Sequence, residues 1–96
     1  MLDTIKTDWN LIKRNVMETG VVSEISNITW IKPLEVVDSE GDNLLIAVPY
    51  DLRLAKTYIS DHYSVIFEEV LREFYGQIVY VQFVASDIEK AGGEQL

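Results

Sequence analysis

Cysteine is absent from these 96 residues, and histidine occurs once. No disulfide therefore staples the core, no thiolate serves as a nucleophile, and neither a cysteine-type nor a two-histidine zinc site can form. Long apolar runs are missing too. The longest, Leu44–Val48, has five residues, against the roughly 20 that a membrane helix needs. Met1–Asn10 has no basic start leading into an apolar stretch, so a secretory signal is not expected and the chain reads as cytoplasmic, with no membrane partner. Basic residues are scarce: eight Lys and Arg stand against 16 Asp and Glu, a net charge of −8 at pH 7. Nucleic-acid binders usually carry the opposite sign, because their affinity comes from replacing counterions with Lys and Arg. The deficit is uneven, since residues 1–33 balance four basic groups with four acidic ones. Only there do Lys6, Lys13, Arg14 and Lys32 offer a weak local patch for nucleic acid.

What is present is the composition of one globular domain, 48% hydrophobic and 25% charged. A chain of this length buries roughly 60–65% of its unfolded surface, enough for a single small core. Ile5, Trp9, Ile12 and Val16 recur at steps of four, three and four, which predicts a helix over Thr4–Thr19 with one buried face. Asp3 or Thr4 suits its cap and Gly20 its stop. A shorter helix fits Ser23–Ile31, capped by Ser23, with Ile25, Ile28 and Ile31 as its apolar edge and Pro33 forbidding continuation.

Leu34–Asp38 reads as a strand, Ser39–Asn43 as a polar turn and Asn43–Val48 as a second strand, together an antiparallel hairpin. A helical pattern then occupies Asp51–Tyr75, with Asp51 as its cap and a bend expected around Ser60–Asp61. Its buried stripe includes Ala55, Ile59, His62 or Tyr63, Ile66, Val70 and Phe74, and Gly76 closes it. Ile78–Val84 alternates as a third strand. From Ala85 the periodicity is lost, so 1–84 reads as the domain and 85–96 as a linker or disordered tail. The order helix–helix–strand–strand–helix–strand predicts an α+β fold, a three-stranded sheet with helices packed on it.

Catalytic constellations do not emerge. His62 is flanked by Asp61 and Tyr63 and lies near Ser60 and Ser64, but helix neighbours do not face one another, and a structural or solvent-facing histidine is the simpler reading. The acidic turn Asp38-Ser39-Glu40-Gly41-Asp42 fails as a calcium loop: its glycine comes at position 4 rather than 6, and Pro49 would stand at position 12. Gly20, Gly41 and Gly76 stand alone, unlike a phosphate-binding loop. Glu68 and Glu69 read as a solvated helix surface. The chain is therefore expected to be a non-enzyme without cofactor or metal, which leaves binding. Trp9 suits either the buried stripe or a partner anchor, since tryptophan is enriched at interface hot spots. Trp30 reads as core, plugging the corner where the second helix turns into the sheet.

Thr29-Trp30-Ile31-Lys32-Pro33-Leu34, followed by Leu44-Leu45-Ile46-Ala47-Val48-Pro49, resembles the N-terminal domain (domain I) of the bacterial replication initiator DnaA. That family typically reads Trp-hydrophobic-basic-Pro-Leu, then a hairpin, then a Leu-hydrophobic-hydrophobic-Ala-hydrophobic-Pro run leading into a helix. Trp9, the spacing of Tyr58 and Tyr63, and Gly76 before Val79–Val84 also agree, over residues 5–84. The resemblance implies a K-homology-like, non-catalytic module of a replication initiator. It implies weak self-association through the first helix, around Trp9 with Ile5 and Lys13, and recruitment of the replicative helicase and small regulators of initiation. Thr29, Trp30 and Leu52 match the regulator-facing positions, and Ser26 stands near the family's acidic residue tied to helicase contact. A stand-alone regulator that binds initiator or helicase is the alternative, as is weak single-stranded DNA binding. In the family an ATPase and a DNA-binding domain follow, and the tail from Ala85 suits the linker to them.

Overall fold

In the computed structural model, which describes residues 2–20 and 22–86, the first helix, α1 (Leu2–Glu18), buries Ile5, Trp9, Ile12 and Val16 along one side. It begins two residues before the expected Thr4, so Asp3 and Thr4 lie inside the first turn rather than capping it. Past its end Gly20 adopts a φ of 80°, in the left-handed region that closes helices.

Ser23 caps the second helix as expected: its hydroxyl accepts the Ser26 amide at 3.1 Å. Only Glu24–Ser26, here α2, are α-helical. Asn27–Ile31 continue as a π-helical turn, in which the Lys32 amide reaches back five residues to the Asn27 carbonyl at 2.8 Å. The wider turn breaks the three- and four-residue spacing on which the apolar edge was read. Ile31 is buried, whereas Ile25 and Ile28 are 78% and 56% exposed, which corrects that expectation.

Strands β1 (Glu35–Glu40) and β2 (Asn43–Val48) form the antiparallel hairpin, with Gly41 at the turn and a register irregularity between Val36 and Asp38. The first strand starts one residue later than read and absorbs Ser39 and Glu40. The pattern over Asp51–Tyr75 splits in two. Tyr50–Ala55 form a 3₁₀ turn and α3 runs over Lys56–Tyr75. Asp51 therefore sits within the 3₁₀ turn instead of capping α3, and the helical pattern changes type after Ala55 while no break falls at Ser60–Asp61. Ser64 donates to the Ser60 carbonyl at 2.7 Å, and the helix passes through that point unbroken. Gly76, at φ 69°, caps the far end by donating to the Arg72 carbonyl at 2.8 Å.

β3 (Tyr80–Ala85) pairs in parallel with β2, giving the order β1-β2-β3 with β2 central. The strand includes Ala85, one residue beyond the domain boundary read from the sequence. The remainder of the expected tail, from residue 87, lies outside the described residues. The protein is thus α+β, a three-stranded mixed sheet with helices packed on it. Leu44, Ile46, Val48 and Phe83 project into the core, where Trp9 stacks on Phe67 at 5.4 Å and Phe67 meets Phe83 edge-on at 6.1 Å. That aromatic column joins α1, α3 and β3. Glu68 does not belong to a wholly solvated pair: it is half-buried, and its carboxylate accepts the Val81 amide at 3.0 Å. Among the described residues no helix is long and apolar enough to cross a membrane.

Candidate interaction surface

Four of the expected site residues lie at the end of α2, on the π turn and on the 3₁₀ turn that leads into α3. Ser26 is half-buried, and Thr29 is exposed on the π turn. Trp30 is not core as read: it is half-buried, packed on the core with its ring against Tyr58 at 5.4 Å, tilted by 49°. Leu52 packs against the core from the separate 3₁₀ turn. The π turn is what aims Trp30 at α3. Its extra residue rotates Thr29 and Trp30 off the face that a regular helix would present, and such turns are frequent at functional sites.

Tyr58 continues the surface. It is 44% exposed and stacks on His62 at 3.9 Å. The His62 ring is held in that place by a 2.8 Å hydrogen bond between Nδ1 and the Tyr58 carbonyl, one helical turn back. Tyr63, beneath it, is buried. Burial pushes its phenol up from the usual value, while the Ser26 hydroxyl beside it works the other way. Trp30, Tyr58 and His62 thus form a ladder of planar rings, rooted at one end in the core and open to solvent at the other. Tyr58 and His62 were visible in the sequence as a spacing and as a lone histidine, but nothing local showed that their rings stack.

The self-association residues are placed differently from expectation. Ile5 and Trp9 are only 1% and 4% exposed, and the Trp9 indole Nε1 donates to the Leu34 carbonyl at 2.8 Å. Both are therefore core residues, and Trp9 is not a surface anchor. Lys13 is half-committed as well. Its ammonium donates to the Lys32 carbonyl at 2.8 Å and the Leu34 carbonyl at 3.3 Å, bracing α1 against the end of the π turn. Burial holds its pKa below the usual lysine value, with Glu35 opposing that shift.

No protein-family model matches this chain, and no curated protein matches it. The chemistry of its surfaces must carry the functional reading. Of the four basic residues expected to form a nucleic-acid patch, Lys13, Arg14 and Lys32 converge on one groove of about 330 Å³ that Asn10, Met17 and Asn27 complete. Lys6 stands apart and faces Glu35 across a smaller groove with Trp9 and Val36. One basic groove and one aromatic ladder are therefore the two distinctive surfaces of the α1–α3 side.

Proposed function

We propose that this chain is a non-catalytic protein–protein interaction module of the kind its resemblance to the DnaA N-terminal domain implies. In this reading it contacts the replicative helicase and small regulators of initiation, and associates weakly with copies of itself. The observation that carries it is the Trp30–Tyr58–His62 ladder, with exposed Thr29 and Ile28 beside Trp30 on the π turn. Aromatic rings anchored at one edge and wet at the other lose little conformational entropy on binding and dominate interface hot spots. Weak contacts suit such a module, because many copies gathered at one assembly raise the effective concentration. With Ile5 and Trp9 in the core, self-association falls to the outer side of α1, where Leu11 is exposed.

The test is a titration of the fluorescently labelled domain with the purified replicative helicase and initiator of the same organism. Binding should saturate, and Trp30→Ala and Tyr58→Ala should each weaken it about tenfold or more, as hot-spot truncations do. Equal affinity for both variants and the parent protein would refute the assignment of this surface.

The basic groove supports a second reading, weak single-stranded DNA binding through Lys13, Arg14 and Lys32. Affinity for an oligonucleotide should then collapse between low and physiological salt. Binding indifferent to salt rules out that mechanism.

A further inference from the structure

The two outer strands of the sheet are guarded very differently. β1 carries Glu35, Asp38 and Glu40 and a register irregularity, the devices by which proteins keep foreign strands off an edge. β3, Tyr-Val-Gln-Phe-Val-Ala, has no charge at all. The amides of Tyr80 and Ser86 point toward β2, donating to the Asp42 and Val48 carbonyls at 2.9 Å each. By the two-residue period of a strand, the amides of Val81, Phe83 and Ala85 point to the free side, where no described strand pairs with β3. The Val81 bond to Glu68 agrees with this. The carboxylate occupies the place that the carbonyl of a fourth strand would take.

Beside that edge runs a groove of about 280 Å³ between β3 and α3, lined by Val65, Glu68, Glu69, Arg72, Ile78 and Tyr80. Val65, Ile78 and Tyr80 are 63%, 59% and 50% exposed, a run of large apolar side chains that nothing described here covers. We propose that β3 is a docking edge for an extended segment of another protein, in which apolar β-formers alternate with Lys or Arg. The segment adds as a fourth strand, the mode of recognition in which main-chain hydrogen bonds give affinity and alternate side chains give specificity. Its backbone takes over the Val81 amide and bonds Phe83 and Ala85. Its cations, on the face turned toward α3, meet the released Glu68 and neighbouring Glu69, and its alternate apolar side chains lie on the opposite face beside Tyr80.

Charge selects this occupant over a second copy of the chain. Two copies bring a net −8 each, the β3 of a second copy carries no charge, and the one cation lining the groove, Arg72, stands three and four residues from Glu69 and Glu68 on the same helix and is matched by them. The proposal uses none of the residues of the Trp30–Tyr58 ladder and does not depend on the function assigned to it.

The probe is an acetylated, amidated octapeptide, Lys-Val-Thr-Val-Lys-Val-Thr-Val, added to the domain while amide exchange is followed by NMR. The Phe83 and Ala85 amides should become protected. Glu68→Gln keeps an acceptor for the Val81 amide and removes the charge, and should bind about threefold more weakly, the size of one exposed ion pair. A peptide with Glu in place of each Lys should bind more weakly still. Failure to protect those two amides, or equal binding of the acidic peptide, overturns the proposal. So does a domain that, without peptide, sediments as a dimer with these amides already protected, because the edge would then belong to a second copy.

Discussion

Replacing Trp9 separates a core role from an interface role in one experiment. Its indole is 4% exposed, stacks on Phe67 with an interplanar angle of 17°, and donates to the Leu34 carbonyl. Truncation to alanine removes the ring and leaves a cavity between α1 and α3, at a cost of about 3–5 kcal/mol for a buried tryptophan. A domain of this size has a total stability of roughly 5–10 kcal/mol. Trp9→Ala should therefore lose a large part of the fold's margin, and its urea midpoint should fall steeply. Trp9→Phe retains a stacked ring and forfeits the hydrogen bond. The Leu34 carbonyl keeps the Lys13 ammonium at 3.3 Å and is not orphaned, so the loss should be smaller, about 1–2 kcal/mol. Urea unfolding followed by far-ultraviolet circular dichroism measures both, and sedimentation velocity measures association in parallel. If Trp9→Ala unfolds within about 1 kcal/mol of the parent protein yet self-associates less, the buried placement is refuted and Trp9 is an anchor.

Tyr75 and Gly76 supply two further tests at the end of α3. The Tyr75 phenol donates to Asp8 at 3.0 Å, and burial first, then the Asp8 hydrogen bond and charge, push its pKa up to about 12. The fold favours the neutral phenol, so this stabilisation is complete below the usual value of 10.0 and lost as pH rises through about 12. Tyr75→Phe should be about 1 kcal/mol less stable at pH 8, with the gap closing between those two pH values, and a gap constant with pH in denaturant melts would contradict the assignment. At Gly76 an added Cβ meets nothing within 4 Å, but φ is +69°. Gly76→Ala should cost about 1 kcal/mol through backbone strain alone, lowering the melting temperature by roughly 4–8 °C, and Gly76→Asn should lose less.

The parts of the fold that were legible are those whose signal is local. β2 was readable to the residue, because Leu44, Ile46 and Val48 alternate between a polar turn and Pro49. The α1 stripe was equally plain. The 3₁₀ turn was hidden because its three-residue repeat fits the spacing of Leu52 and Ala55 as well as a helix does, and Asp51 looks like a cap. The π turn was hidden for a related reason: Ile25, Ile28 and Ile31 imitate a helical edge, although only Ile31 is buried. At the candidate site, residue types were suggestive and partners were not. The Trp9 bond to Leu34 spans 25 positions and the Tyr75 bond to Asp8 spans 67, separations at which no periodicity carries information. Glu68 shows the same limit, since a carboxylate serving a strand edge and a solvated one look identical on a helix.

The parallel pairing of β2 with β3 also sets when this chain can finish folding as it is made. β2 is complete at Val48, but its second neighbour begins at Tyr80, on the far side of the whole of α3. During synthesis the hairpin therefore waits with one side of its central strand unpaired and with Phe67 lacking Phe83. At roughly 5–20 residues per second, the gap lasts several seconds. Translation speed across α3 thus becomes a variable of assembly, and the edge of β3 that faces away from β2 exists as a docking site only after that pairing is made.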